Sequence, residues 1–215
     1  MSSPKLQVAV AGLGRMGARH ALNFHNRTPR AELVAAFTPV QKEAEWAKVH
    51  LEGVVIYSDY QEMLKHPGLQ AVVVATVTTA HAEEAIQAIE ADKHVLCEKP
   101  LSTSVEIVSP SSRVCMVLTN CFTQSQSVVD AAAKKPHLKV MCGFSRRFDA
   151  SYRDAFERMD SGAIGRPSIF RSQTCDKLDP SGFFVAYAEF SGGIVVNIVM
   201  LAKVWLNSCD TSSDD

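Results

Sequence analysis

The stretch Leu6-Gln-Val-Ala-Val-Ala-Gly-Leu-Gly-Arg-Met-Gly17 decides the fold of this 215-residue chain. Residues 6–11 form an apolar, valine-rich run that is typical of a parallel strand buried on both faces. Three glycines follow in the pattern G-x-G-x-x-G, and a helical stretch begins beside them. Such glycines permit a tight turn, a close approach of backbone to a pyrophosphate, and close helix–strand packing. The turn therefore predicts a dinucleotide-binding site formed by Gly12, Leu13, Gly14, Arg15, Met16 and Gly17.

Strands and helices alternate beyond this turn at the spacing of βαβ units. Strands are predicted over residues 6–11, 32–37, 54–57, 70–75 and 93–97, and helices over 15–27, 41–50, 59–65 and 79–91. The alternation predicts an α/β fold, a Rossmann-type doubly wound parallel sheet, in which ligands bind at the carboxyl ends of the strands. We place this dinucleotide-binding domain at residues 1–136, and we expect the polar tail at 207–215 to be disordered.

Composition narrows the classes of partner. The formal net charge of -1 gives no electrostatic reason to expect nucleic acid or an anionic membrane, and no apolar run approaches the length that spans a bilayer. The six cysteines form no C-x-x-C pair and have no histidine at zinc-finger spacing. We therefore predict a cytoplasmic protein with reduced thiols, no metal site and a small-molecule partner.

The residue after the second strand normally selects the cofactor, because an acidic side chain there holds the adenosine ribose and repels a 2′-phosphate. This chain has Thr38 at that position and no acidic residue before Glu43. Arg15 lies beside the phosphate turn, and Lys42 opens the next predicted helix. The combination favours NADP(H) over NAD(H). The alternative is that Lys42 is a solvated helix residue and that the site takes NAD.

The segment Thr76-Val-Thr-Thr-Ala-His81 follows the fourth strand. Its hydroxyl groups are in a position to contact the cofactor, so Thr76 and His81 are candidate cofactor-binding residues. A compatible alternative is that Thr78 or Thr79 caps the next helix and that His81 is exposed in the first helical turn.

A Glu98-Lys99-Pro100 triplet after the fifth strand completes a recognisable pattern. The glycine turn, Thr-x-x-x-x-His, Lys93-His-Val-Leu-Cys-Glu-Lys-Pro-Leu101 and Gly143-Phe-Ser-Arg-Arg-Phe148 occur in that order. The chain resembles the Gfo/Idh/MocA family of NAD(P)-dependent sugar, inositol and dihydrodiol dehydrogenases, and most of all its myo-inositol 2-dehydrogenase-like members. The resemblance covers residues 5–107 and 125–196.

The resemblance implies hydride transfer between a polyol or sugar hydroxyl and the nicotinamide of NAD(P). It implies that Lys99 is the catalytic lysine, which stabilises charge on the reacting oxygen. It also implies that Glu98 lies beside the nicotinamide ribose and that Arg146 lies near the substrate. Members of the family commonly form homo-oligomers through the open sheet of their second domain.

Two departures qualify this resemblance. Residues 137–206 match only the start of the family's second, α+β domain, and Asn197 and Leu201 stand where relatives have the Asp-x-x-x-His pair. Neither side chain transfers a proton as a carboxylate or imidazole does. We therefore expect an incomplete interface sheet and impaired catalysis in a chain truncated at its C-terminus. The alternative is a catalytically inactive NADP(H)-binding sensor or regulatory protein.

The second departure is a segment at residues 108–124 that fits neither the family nor a helix, since Pro110 would break one. A capping box over residues 103–106 predicts the start of a helix, which residues 125–135 continue. We interpret the intervening segment as a retained in-frame intron; the alternative is a genuine surface loop.

Overall fold

The computed structural model describes residues 4–102, 124–165 and 169. The chain divides into two compact units, one ending at Gly143 and the other beginning at Phe144. Several predicted features lie outside the described residues: the capping box at 103–106, most of the 108–124 insertion, Asn197, Leu201 and the tail at 207–215.

The first unit is built on one parallel sheet. Its strands are β1 (Leu6–Ala11), β2 (Ala31–Phe37), β3 (Val55–Tyr57), β4 (Ala71–Val74), β5 (His94–Cys97) and β6 (Val140–Cys142). The strand order is β3-β2-β1-β4-β5-β6, with every pair parallel. The helices are α1 (Arg15–Asn26), α2 (Gln41–His50), α3 (Tyr60–Leu64), α4 (His81–Glu90) and α5 (residues 124–133). This order is that of the doubly wound dinucleotide-binding fold, which confirms the predicted fold class.

Alternation along the strands sends side chains to both faces of the sheet. Ala9 and Ala11 of β1 pack in a cluster with buried residues of α3, α4 and α5. Val8 and Val10 point the other way and pack in a cluster with Ala21 of α1 and Ala47 of α2. Both faces are therefore covered by helices, which explains why β4 and the buried part of β1, residues 8–11, are apolar throughout.

The strand β6 is the element of the first unit that the sequence reasoning did not predict. Its backbone pairs with β5, with Cys97 opposite Cys142. The pairing holds Val140–Cys142 on the sheet of the first unit, which ends at Gly143. The predicted domain boundary at 136/137 stays a prediction.

The second unit has a 3-10 turn over Ser145–Phe148 and then α6 (Ala150–Asp160). Asp149 caps α6, because its carboxylate accepts hydrogen bonds from the backbone N–H groups of Ser151 and Tyr152. Among the described residues of either unit, no helix is long and apolar enough to cross a bilayer.

Candidate functional site

Four site segments emerge at one edge of the sheet. The ladder aligns Ala11 with Val74 and Val74 with Cys97, so β1, β4 and β5 end level with one another. The segments that follow begin at Gly12, Ala75 and Glu98, and Thr38 follows β2 at the same edge. This is the carboxyl edge, where doubly wound sheets bind their ligands.

The glycine turn is fixed by close backbone contacts. Gly12 has φ +82°, and a Cβ atom there would lie 2.7 Å from the Cα of Thr76. A Cβ atom on Gly17 would lie 1.7 Å from the carbonyl oxygen of Gly12. At Gly14, by contrast, the nearest atom is Glu43 Oε1 at 3.6 Å. The outer glycines are therefore required for packing, while the middle one leaves the backbone approachable.

The start of α1 suits an anionic ligand. Gly14 is the N-cap residue, and α1 has neither a side-chain cap nor an acidic residue in its first turn. Its partial positive charge is therefore left for a bound group to complement. The residues of the turn thus fit a dinucleotide pyrophosphate. Leu13 is 3% exposed and belongs to the core, so only its backbone faces the site; Arg15 is exposed and Met16 is half-buried.

Thr38, which follows β2, is 2% exposed and forms a hydrogen bond to the carboxylate of Glu43. Its hydroxyl donates to Glu43 Oε2 at 2.5 Å and accepts a hydrogen bond from the backbone N–H of Val40 at 3.2 Å. Lys42, in contrast, is exposed. A carboxylate from α2 therefore lies beside the end of β2, although the sequence places no acid in the loop itself.

His81 is 3% exposed, so the alternative that it is exposed in the first helical turn is wrong. Its Nδ1 lies 2.8 Å from the carbonyl oxygen of Pro100, and its Nε2 lies 3.2 Å from that of Thr76. The imidazole thus joins the segment after β4 to the segment after β5. The N-cap residue of α4 is Ala80, not Thr78 or Thr79.

Glu84 of α4 lies next to the candidate cofactor residue Thr76, whose hydroxyl donates to Glu84 Oε2 at 2.5 Å. Burial raises the pKa of Glu84 to about 7, although the hydrogen bond from Thr76 opposes the shift. The carboxyl group is therefore partly protonated near neutral pH.

This raised pKa predicts a pH-dependent stability. The folded state binds the Glu84 proton more tightly than the unfolded chain, so stability falls as pH rises from 4.5 to about 7. At pH 8, Glu84→Gln should raise the free energy of unfolding by about 1–2 kcal/mol, a value discounted for partial exposure. The gain should vanish below pH 4.5. Urea unfolding from pH 4 to pH 8, with the exposed Glu90→Gln as control, measures it; a gain that is the same at every pH contradicts the assignment.

The segment that carries Lys99 is anchored on both sides. Before it, Glu98 Oε1 lies 2.7 Å from Nε2 of His20 on α1. After it, Pro100 is held by His81, and the Lys99–Pro100 peptide is cis, as the sequence allowed. Burial raises the pKa of Glu98, but the hydrogen bonds and positive charges of His20 and Lys99 together hold that pKa below its usual range. Lys99 itself is exposed.

Arg146 lies in the second unit, within the 3-10 turn. Its guanidinium is 3.9 Å from a carboxylate oxygen of Asp149 and 5.2 Å from the ring centre of Tyr152. Its predicted role near the substrate remains a prediction.

Sequence reasoning did not select three site residues: His20, Glu43 and Glu84. Each lies inside a predicted helix, and its partner is a residue of a loop or a strand end. Helical periodicity gives no indication of such a pairing. Among residues 4–102, 124–165 and 169, no group of three or more His, Cys, Asp or Glu side chains could hold a metal ion.

The parallel sheet and the glycine turn at its carboxyl edge define a class, the dinucleotide-binding Rossmann domains. In this chain the segment of Lys99, anchored at Glu98 and Pro100, lies after β5 at the same edge. Residues 6–117 match the family described as the oxidoreductase family with NAD-binding Rossmann fold, Gfo/Idh/MocA. The chain belongs to this family, as its motifs predicted.

Individual relatives and solved structures support the same family assignment. The chain is 35% identical over 196 residues to the scyllo-inositol 2-dehydrogenase (NAD(+)) of Bacillus subtilis, covering 90% of this chain and 50% of the relative. The apo scyllo-inositol dehydrogenase of Lactobacillus casei superposes with a TM-score of 0.77 at 28% identity, covering 95% and 56% of the two chains. The same enzyme with NAD(H) and scyllo-inositol gives 0.63 at 32% identity, covering 75% and 42%. The chain thus spans about half the length of the relatives it matches.

Proposed function

We propose that this chain binds a nicotinamide dinucleotide at the glycine turn. We also propose that it is part of a dehydrogenase that oxidises polyols of the inositol type. One observation carries the proposal: the 2.7 Å contact between His20 and Glu98 joins α1, which begins at the glycine turn, to the segment of Lys99. Nucleotide-binding and catalytic segments are thereby held together. The inositol dehydrogenases among the relatives support the substrate class.

Each site residue has a distinct part in this proposal. The backbone of the glycine turn and the start of α1 hold the pyrophosphate. When bound, a nicotinamide would supply the acceptor for the hydride of the carbinol carbon, and the proton of the hydroxyl group would pass to water. The Lys99 ammonium donates a hydrogen bond to the hydroxyl oxygen of that carbon and stabilises the charge that develops there. Glu98 pairs with His20 through one carboxylate oxygen and accepts a hydrogen bond from the backbone N–H of Lys99 through the other, which positions the lysine segment.

A second candidate is a nucleotide-binding sensor with little or no turnover. Asn197 and Leu201 favour it, because the family resemblance places the proton-transferring Asp and His at these positions. Loss of a general base typically lowers the rate about 10²- to 10⁴-fold. Both candidates share nucleotide binding and differ in whether turnover can be restored.

Calorimetric titration with NADH and with NADPH, followed by an inositol oxidation assay, tests the proposal. We expect saturable binding of a nucleotide. We also expect Asn197→Asp with Leu201→His to raise inositol-dependent reduction of the nucleotide by about 10²-fold. Adding Lys99→Met should remove that gain while binding persists. A folded chain that binds neither nucleotide contradicts the proposal, and tight binding without any restored turnover favours the sensor.

A further inference from the structure

A carboxylate from α2, that of Glu43, lies beside the end of β2, where the loop itself has no acidic residue. The loop residue there, Thr38, has no charge and is almost completely buried. Its hydroxyl hydrogen is committed to Glu43, and its oxygen also accepts from the backbone of Val40. Thr38 is therefore poorly placed to bind a ribose itself, and its evident role is to hold the Glu43 carboxylate.

Glu43 reaches this position from the first turn of α2. The N-cap residue is Val40, and the backbone N–H of Glu43 donates to the carbonyl of Val40 at 3.0 Å. The start of a helix favours a carboxylate over a neutral side chain. One carboxylate oxygen is bound by Thr38, while the other lies 3.6 Å from the Cβ position of Gly14. The carboxylate thus lies between the end of β2 and the phosphate turn.

From this placement we infer that Glu43 is the residue that selects NAD(H) over NADP(H). The inference rests on the proposed function and deepens it. In doubly wound folds an acidic group at the end of β2 accepts hydrogen bonds from the ribose hydroxyls. Here the group comes from α2 and is positioned by Thr38. Its charge opposes a 2′-phosphate, which carries close to two negative charges at neutral pH.

The geometry reverses the preference drawn from the sequence. That preference rested on the uncharged Thr38 and on the cations Arg15 and Lys42. Lys42 and Arg15 are both exposed, whereas Glu43 is half-buried and fixed by Thr38. A fixed, partly desolvated charge acts more strongly on a neighbour than a solvated one at similar distance.

Calorimetric titration of the 215-residue chain and its variants with NADH and NADPH tests this inference. We expect the unmodified chain to prefer NADH. Glu43→Gln keeps the size and the acceptor for Thr38 but removes the charge, so it should lower the ratio of the NADPH to the NADH dissociation constant by about 10- to 100-fold. Glu45→Gln, an exposed change on the same helix, is the matched control and should leave the ratio unchanged.

Thr38→Val provides a second variant, which keeps the shape but removes the hydroxyl that positions Glu43. It should lower the ratio of the NADPH to the NADH dissociation constant by a smaller factor. If Glu43→Gln does not fold, the ratio measured for Thr38→Val tests the role of Glu43 in its place. An unmodified chain that prefers NADPH, or a ratio that neither variant changes, overturns the inference and leaves the proposed nucleotide binding intact. A folded chain that binds neither nucleotide overturns the proposed function and this inference together.

Discussion

Gly17→Ala should destabilise the first unit severely and abolish nucleotide binding. The added methyl group would lie 1.7 Å from the carbonyl oxygen of Gly12, which is backbone and has little freedom to move. Relief of this clash requires α1 to shift away from β1, against the packing of Ala21 in the core. We expect a loss of more than about 4 kcal/mol in the free energy of unfolding, measured in urea.

Gly14→Ala is the matched comparison in the same turn. Its φ of −64° suits alanine, and the nearest atom to the new methyl group is 3.6 Å away. We expect stability within about 1 kcal/mol of the unmodified chain, the usual cost of alanine at an N-cap. Binding of NADH should nevertheless weaken, because the methyl group obstructs approach to the backbone. Unmodified stability for Gly17→Ala would contradict this view of the turn.

His81→Ala should have the second-largest effect. It removes the ring nitrogens that face the carbonyl oxygens of Pro100 and Thr76, and it leaves a cavity at a buried position. Unsatisfied buried acceptors and lost packing together should cost about 2–4 kcal/mol. Hydrogen exchange should rise first in the segments around Thr76 and Pro100, because the imidazole joins them.

His137→Ala is the control for this substitution. The ring of His137 is 60% exposed and pairs with Asp92 at the surface, so its loss should change stability by less than about 1 kcal/mol. If His81→Ala is as mild as His137→Ala, or if exchange rises evenly over the whole unit, then His81 does not anchor the lysine segment.

The first five strands were predictable because each contains a short apolar run; in all but β3 that run includes buried residues. The helix α2 begins and ends at the predicted residues, 41 and 50. The short edge strand β6 escaped prediction, although β3, which is equally short, did not; Met141 at the centre of β6 is 42% exposed. Its existence depends on backbone pairing with β5, for which a local pattern gives no signal.

The part of the candidate site that could be predicted from the sequence is the glycine turn, because its shape depends on local backbone geometry. The glycine turn requires Gly12 and Gly17 through contacts that the motif itself implies. The side-chain contacts were not predictable in the same way. His81 bonds a carbonyl 19 residues further along the chain, and His20 bonds a carboxylate 78 residues away. These pairings arise only when the strand ends meet at one edge of the sheet.

The contact between His20 and Glu98 has a consequence for local unfolding. The helix α1 begins at the phosphate turn and reaches His20 about one and a half turns later. Fraying of its first two turns would disrupt the anion cradle and release Glu98 from its partner in the same event. We therefore expect the two halves of the site to open together, and we expect a nucleotide bound at the start of α1 to slow hydrogen exchange of the backbone beside Lys99 as well.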